Sequence, residues 1–226
     1  MSTHYNLLKV RFHLNMGRIN GLVKLVFTDL DQLRPTGPFQ SEGIRADILR
    51  AIVVFLHATF EDVLRSQVPK PNKSLSFYSR SDIEKALKES GIDSKPFQPL
   101  YPPLTQMAKR RKRIVHEADL TNRTDVVSEK WGLVDDWQLI MWLMAVAAFY
   151  YQLRMAAKVA SVVEMTMYER LGKAMQDHVE FGKQLLSFPN VPPELRVDAL
   201  QKTIVILQTI ASTLKVEVSN LILSKG

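Results

Sequence analysis

The segment Lys109-Arg110-Arg111-Lys112-Arg113-Ile114-Val115-His116 concentrates the chain's most reactive groups. Successive cations on one helix repel each other, and a nearby anion would relieve them. That anion could be a phosphate or a carboxylate from another helix; at an exposed helix end, water alone would serve. His116 closes the run, where neighbouring cations favour a neutral imidazole and hence its use as a base. A neutral imidazole beside guanidinium groups is a workable apparatus for phosphodiester cleavage. The ring takes a proton from a nucleophile such as an RNA 2′-hydroxyl, and the cations stabilise charge growing on the phosphorane. No metal is needed. On a regular helix, however, Arg111 and His116 point about 140° apart, while Lys112 and Arg113 lie nearer the face of His116. Sharing one site then requires a long reach, a local irregularity or a second chain. A nuclear-import signal, a solvated face and a core histidine are the competing readings of the same residues.

Other reactive residues read more plainly. His57 and Glu61 share a helix face, and without further ligands they read as a hydrogen-bonded pair near a bundle interface. Trp131, Trp137, Trp142, Tyr150 and Tyr151 could stack bases, but their spacing in an apolar helix favours core or dimer interface. The methionines from Met141 to Met175 fit an adaptable packing surface. Gly-rich phosphate loops, G-x-S-x-G elbows and H-E-x-x-H motifs are absent from the sequence, so P-loop hydrolysis, serine hydrolysis and zinc proteolysis lack support. Cysteine is absent too, which excludes disulfides, thiol catalysis and thiolate zinc sites. No cofactor is expected.

The elements that must position these groups read as helices. The chain has 226 residues, 46% hydrophobic and 23% charged, with 30 Lys plus Arg against 23 Asp plus Glu. That suits one large domain or a domain with an extension, and the net charge of +7 favours polyanionic partners. Helical periodicity runs from Leu7 to Leu33 and stops at Arg34-Pro35. Ser41 is a candidate cap for a second helix through about Ser66. A short helix starts near Ser81 and ends at Gly91. A proline-punctuated connector follows over Pro96 to Pro103, then a helix from Leu104 to about Asp119 and a loop over Thr121 to Ser128. Asp135 to Pro189 holds one long helix or two stacked ones, with Gly172 and Gly182 as the weak points. A last helix follows Pro192-Pro193, and Lys215 to Leu223, whose apolar and polar residues alternate as a strand's could equally do, is assigned to helix as well. Leu139 to Tyr151 is apolar but too short for a membrane span, which needs about 20 residues. The N-terminal residues carry Lys9 and Arg11 where a signal peptide needs an apolar run. The expectation is a soluble, cytoplasmic, all-α protein with no membrane partner.

Arg111-Lys112-Arg113-Ile114-Val115-His116 with Glu117-Ala118-Asp119 resembles the signature of the HEPN domain family, often written R-N-x-I-V-H. Upstream, Phe55-Leu56-His57-Ala58-Thr59-Phe60-Glu61-Asp62-Val63-Leu64-Arg65 is similar to that family's earlier helix. The resemblance covers roughly residues 5 to 160. It implies a HEPN-like helical bundle over 1–160, while 161–226, outside the resemblance, reads from its own pattern as a C-terminal helical extension packed on the bundle or continuing it. The resemblance further implies a homodimer whose two motifs face each other, cleaving single-stranded RNA without metal, in some members as a toxin beside a cognate antitoxin protein. Arg111 would bind the phosphate and stabilise the transition state, His116 would be the catalytic histidine, and Glu61 would orient Arg111. Lys109, Arg110, Lys112 and Arg113 would bind RNA. The departure is Lys112, where Asn, Asp or His is usual. The alternative the resemblance allows is an inactive module that binds nucleic acid or protein as a scaffold or regulator.

Overall fold

A helix needs a start signal, an apolar face and a stop. The computed structural model describes residues 3–29, 38–66, 77–116 and 134–187. Among these residues the regular elements are all helical, with no strand. They are α1 (Thr3–Lys24), extended by a π-helical turn over Leu25–Asp29, then α2 (Pro38–Arg65), α3 (Arg80–Glu89), a 3₁₀ turn over Lys95–Leu100, α4 (Tyr101–His116), α5 (Asp136–Ala156) and α6 (Val162–Ser187). The expected final helix after Pro192, the loop over Thr121 to Ser128 and the segment Lys215 to Leu223 lie outside the described residues.

Paired contacts give the helix directions. Arg11 meets Asp62 and Arg45 lies over the Phe27 ring, so α1 and α2 run antiparallel. Arg45 bonds Asp136 at 2.6 Å and Phe60 meets Phe149 edge-on, so α2 and α5 run parallel. Trp142 donates to Gln106 of α4 at 3.3 Å, while Phe97 ahead of α4 packs on Phe149, making α4 antiparallel to α5. Phe12 of α1 stacks on Tyr150 with ring centroids 3.8 Å apart. Helix α5 is therefore the axis of the bundle. It is apolar on every side, as a fully enclosed helix must be, and Asp135 caps it by accepting from the Trp137 N–H at 2.8 Å. By length and composition α5 could cross a membrane, but 78% of its apolar window is buried inside the bundle.

Several boundaries differ from the sequence expectation, each for a local reason. Helix α3 is capped by Ser79 rather than started at Ser81, the Ser79 hydroxyl accepting from the Asp82 N–H. Helix α4 starts at Tyr101, because Pro102 and Pro103 occupy its first turn, where an N–H would have no helical partner anyway. The expected breaks at Gly172 and Gly182 do not occur; both sit inside α6. The break comes instead at Lys158, whose φ is +56°. The Val159 N–H reaches the Arg154 carbonyl at 3.0 Å and the Lys158 N–H reaches that of Met155 at 2.9 Å, which is a Schellman turn. Gly91 ends α3 with the same pair of bonds at φ +70°, Ile92 to Leu87 and Gly91 to Lys88. Lysine pays a left-handed backbone cost that glycine avoids. Lys158→Gly is therefore expected to raise stability by about 1 kcal/mol, seen as a higher urea midpoint at unchanged slope. A lower midpoint would contradict the left-handed turn.

Helix α6 begins with a capping box. The Ser161 hydroxyl accepts from the Glu164 N–H at 3.2 Å, and the Glu164 carboxylate accepts from the Ser161 N–H at 2.7 Å. From there α6 returns antiparallel along α5, placing His178 in a stack on Trp137 with centroids 3.5 Å apart. The residues expected to form an extension after 160 thus begin as a helix laid against the bundle axis. The same Glu164, fully buried, pairs with Arg154 at 2.5 Å and with Lys9 of α1 at 3.6 Å. One carboxylate ties three helices together.

Candidate functional site

Helix α2 carries His57, Glu61 and Arg65 at four-residue steps, which puts them in one stripe. Inside the bundle that stripe meets α4, and Tyr78, just ahead of α3, lies between them. The Tyr78 ring stacks on His57 with centroids 5.5 Å apart and planes 17° apart. Arg111 lies over the same ring at 5.8 Å and donates from Nη1 to the Tyr78 hydroxyl. Glu61 Oε1 is 4.0 Å from His57 Nδ1 and 4.0 Å from Arg65 Nη2. The expected His57–Glu61 hydrogen bond is therefore not made, because the imidazole is turned to face Tyr78. Arg65 in turn lies over the ring of Phe77, 5.0 Å from its centroid.

The electrostatics follow from burial and from Arg111. His57 is 1% exposed; burial first, and then the Arg111 charge, lower its pKa to about 4. Neither ring nitrogen of His57 has a hydrogen-bond partner among the described residues. Burial raises the Glu61 carboxyl above its usual range, with Arg65 and then Arg111 opposing that rise. His13 is held neutral in the same way, its pKa lowered to about 3 by burial, Lys9 and Arg154. Both histidines start from 6.5 when unfolded, so below that pH the unfolded chain binds protons the native state refuses. Stability is then full above about pH 6.5 and falls as pH drops toward 4, each histidine removing about 1 kcal/mol per pH unit. Urea midpoints from pH 7.5 to 4.5 test this. His57→Phe, which keeps a ring for the Tyr78 stack, is expected to lose part of that slope.

The sequence candidates divide between two environments. Arg111 and Glu61 are brought into one cluster, with Arg111 half-buried. Lys109, Lys112, Arg113 and His116 are exposed along α4, and Arg110 is half-buried. His116 lies at the exposed end of α4 rather than beside the His57–Tyr78 stack. Tyr78 and Arg65 were not singled out by sequence. The four-residue spacing of His57, Glu61 and Arg65 was a visible signal for Arg65, whereas nothing local marks Tyr78. Trp142, Tyr150 and Tyr151 are core residues, while Trp137 is half-buried against His178. Trp131 lies outside the described residues. Among the described residues no group of three His, Asp or Glu side chains could hold a metal ion. A separate cleft of about 510 Å³ between α1 and α2 is lined by Arg18, Ile19, Leu22, Phe55, Ala58 and Thr59, among others, and by none of the cluster.

Compared with protein-family models, with curated proteins and with solved structures, the chain matches none of them.

Proposed function

We propose that the protein is a metal-independent endoribonuclease of the HEPN type, acting on single-stranded RNA as a homodimer. One observation carries the reading. Among the five consecutive cations of α4, Arg111 alone is hydrogen-bonded to Tyr78, and it lies in the field of Glu61, while exposed cations and His116 lie along the same helix. A guanidinium fixed in this way suits a developing phosphorane charge better than a freely solvated one. In the proposed reaction His116 takes the proton of a 2′-hydroxyl as that oxygen bonds to phosphorus. The bond from phosphorus to the 5′ oxygen breaks, and the departing oxygen takes a proton from water. The products are a 2′,3′-cyclic phosphate and a 5′-hydroxyl. In the proposed homodimer, Arg111 of one chain serves His116 of the other across the two-fold axis.

The test is cleavage of a quenched fluorescent RNA in excess EDTA. Wild type is expected to cleave, and His116→Ala is expected to lose at least a hundredfold in rate while keeping its fold. Undiminished cleavage by His116→Ala would end the assignment. The second reading, a silent module that binds nucleic acid or protein, is favoured by Lys112 in the motif and by the separation of His116 from the Arg111 cluster. It expects salt-sensitive RNA binding without cleavage, weakened when Lys109, Arg110, Lys112 and Arg113 are neutralised.

A further inference from the structure

The two arginines around Glu61 are seated on consecutive aromatic residues. Arg65 lies over Phe77 and Arg111 over Tyr78. Phe77 has φ +51°, a left-handed backbone that a bulky side chain adopts only when its surroundings impose it. The imposition is visible: the Phe77 ring is 1% exposed in the core, and the next ring is stacked on His57. The bend sends two successive side chains to two different guanidiniums. Packing accounts for the buried Phe77 ring but not for the half-buried Tyr78 ring, and a strained dipeptide that seats a pair of cations points to a use for the pair.

We infer that Phe77-Tyr78 is a positioning element that presents Arg65 and Arg111 together to the phosphate backbone of a single-stranded RNA. This rests on the ribonuclease reading for its substrate class, and it adds Arg65 as a second phosphate-binding residue and Tyr78 as the residue that aims Arg111. The Tyr78 hydroxyl fixes the rotation of the Arg111 guanidinium, and the stack on neutral His57 fixes the Tyr78 ring. Glu61, 4.0 Å from Arg65, is the carboxylate that a phosphate must displace on binding.

The probe is an eight-nucleotide 2′-O-methyl oligouridine, which keeps the RNA phosphates and cannot be cleaved through a 2′-hydroxyl. Its affinity is measured by fluorescence anisotropy across a potassium chloride series. Arg65→Gln and Arg111→Gln are each expected to weaken binding and to lower the slope of log Kd against log salt by about 0.7, the value for one phosphate contact on a single strand. Arg18→Gln, at an exposed residue of the separate α1–α2 cleft, is the control and is expected to bind as wild type. Tyr78→Phe keeps the ring and removes the hydroxyl. It is expected to keep the salt slope, weaken binding several-fold and let phenylglyoxal modify Arg111 several-fold faster, as read by peptide mass spectrometry. Wild-type affinity and slope in Arg65→Gln, or no binding by wild type, would overturn the clamp. An unchanged Arg111 modification rate in Tyr78→Phe would overturn the aiming role. Binding without cleavage of ordinary RNA would retain the clamp and remove the nuclease, whereas cleavage with an indifferent Arg65 would do the reverse.

Discussion

Glu164→Gln is expected to lower the unfolding free energy by about 3–5 kcal/mol, the cost of leaving a buried charge without its partner. Glutamine can still accept from the Ser161 N–H, so the capping box survives and the change isolates the charge. What remains is Arg154 at 3% side-chain exposure and Lys9 at 6%, with no carboxylate between them. Arg154 keeps its bond to the Val159 carbonyl at 2.8 Å, which satisfies a donor but not a charge. His13 cannot help, since protonating it would add a third cation to the same region. Glu164→Ala is expected to cost more, because it also removes the acceptor of the Ser161 N–H, worth about 1 kcal/mol. For a domain of ordinary stability this is a large fraction of the total. Urea unfolding followed by circular dichroism gives the value. A loss below about 1 kcal/mol would mean the pair behaves as an exposed one.

Arg111→Ala is expected to reduce RNA cleavage by about 10²–10³-fold, the usual cost of removing one preorganised donor from a transition state. Arg111→Lys is expected to recover little of it. An ammonium carries the charge but cannot reproduce a planar guanidinium that lies over the Tyr78 ring while donating to its hydroxyl. The loss is expected in kcat more than in KM, because exposed Lys109, Lys112 and Arg113 still attract the polyanion. Neutralising those exposed residues instead is expected to raise KM and reduce its salt dependence. Comparing kcat and KM for the two sets of variants separates positioning from attraction. Equal effects of both sets on KM alone would make Arg111 one more solvated cation.

How far these features could be read in advance depended on whether their causes were local. The Gly91 stop and the apolar run of α5 were legible because glycine at a left-handed turn and an all-round hydrophobic helix leave marks in composition. The break between α5 and α6 was misplaced because the left-handed position is occupied by Lys158, which carries no such mark. Its true signal was Ser161-Val162-Val163-Glu164, a capping box that spells the start of α6. Arg111 and Glu61 stood out by type and by resemblance. Tyr78 did not, since its role arises from three-dimensional closure between residues 57, 78 and 111. The burial of His57 was invisible for the same reason. A histidine on a helix face acquires its protonation state from what covers it, and here the cover comes from Tyr78, well beyond the end of its own helix.

The central place of α5 also bears on how the protein is made. Helices α1, α2 and α4 precede it in the chain, and Phe12, Phe60 and Gln106 all find their partners on it. During synthesis at about 5–20 residues per second, these helices leave the ribosome with their apolar sides facing solvent. Helices α1 and α2 can pair with each other, and α2 with α4, but the rings of Phe12 and Phe60 find their stacking partners only on α5. Completion of the core is thereby postponed until one late helix has emerged, and a chain arrested before Asp136 would expose the apolar surface that α5 covers.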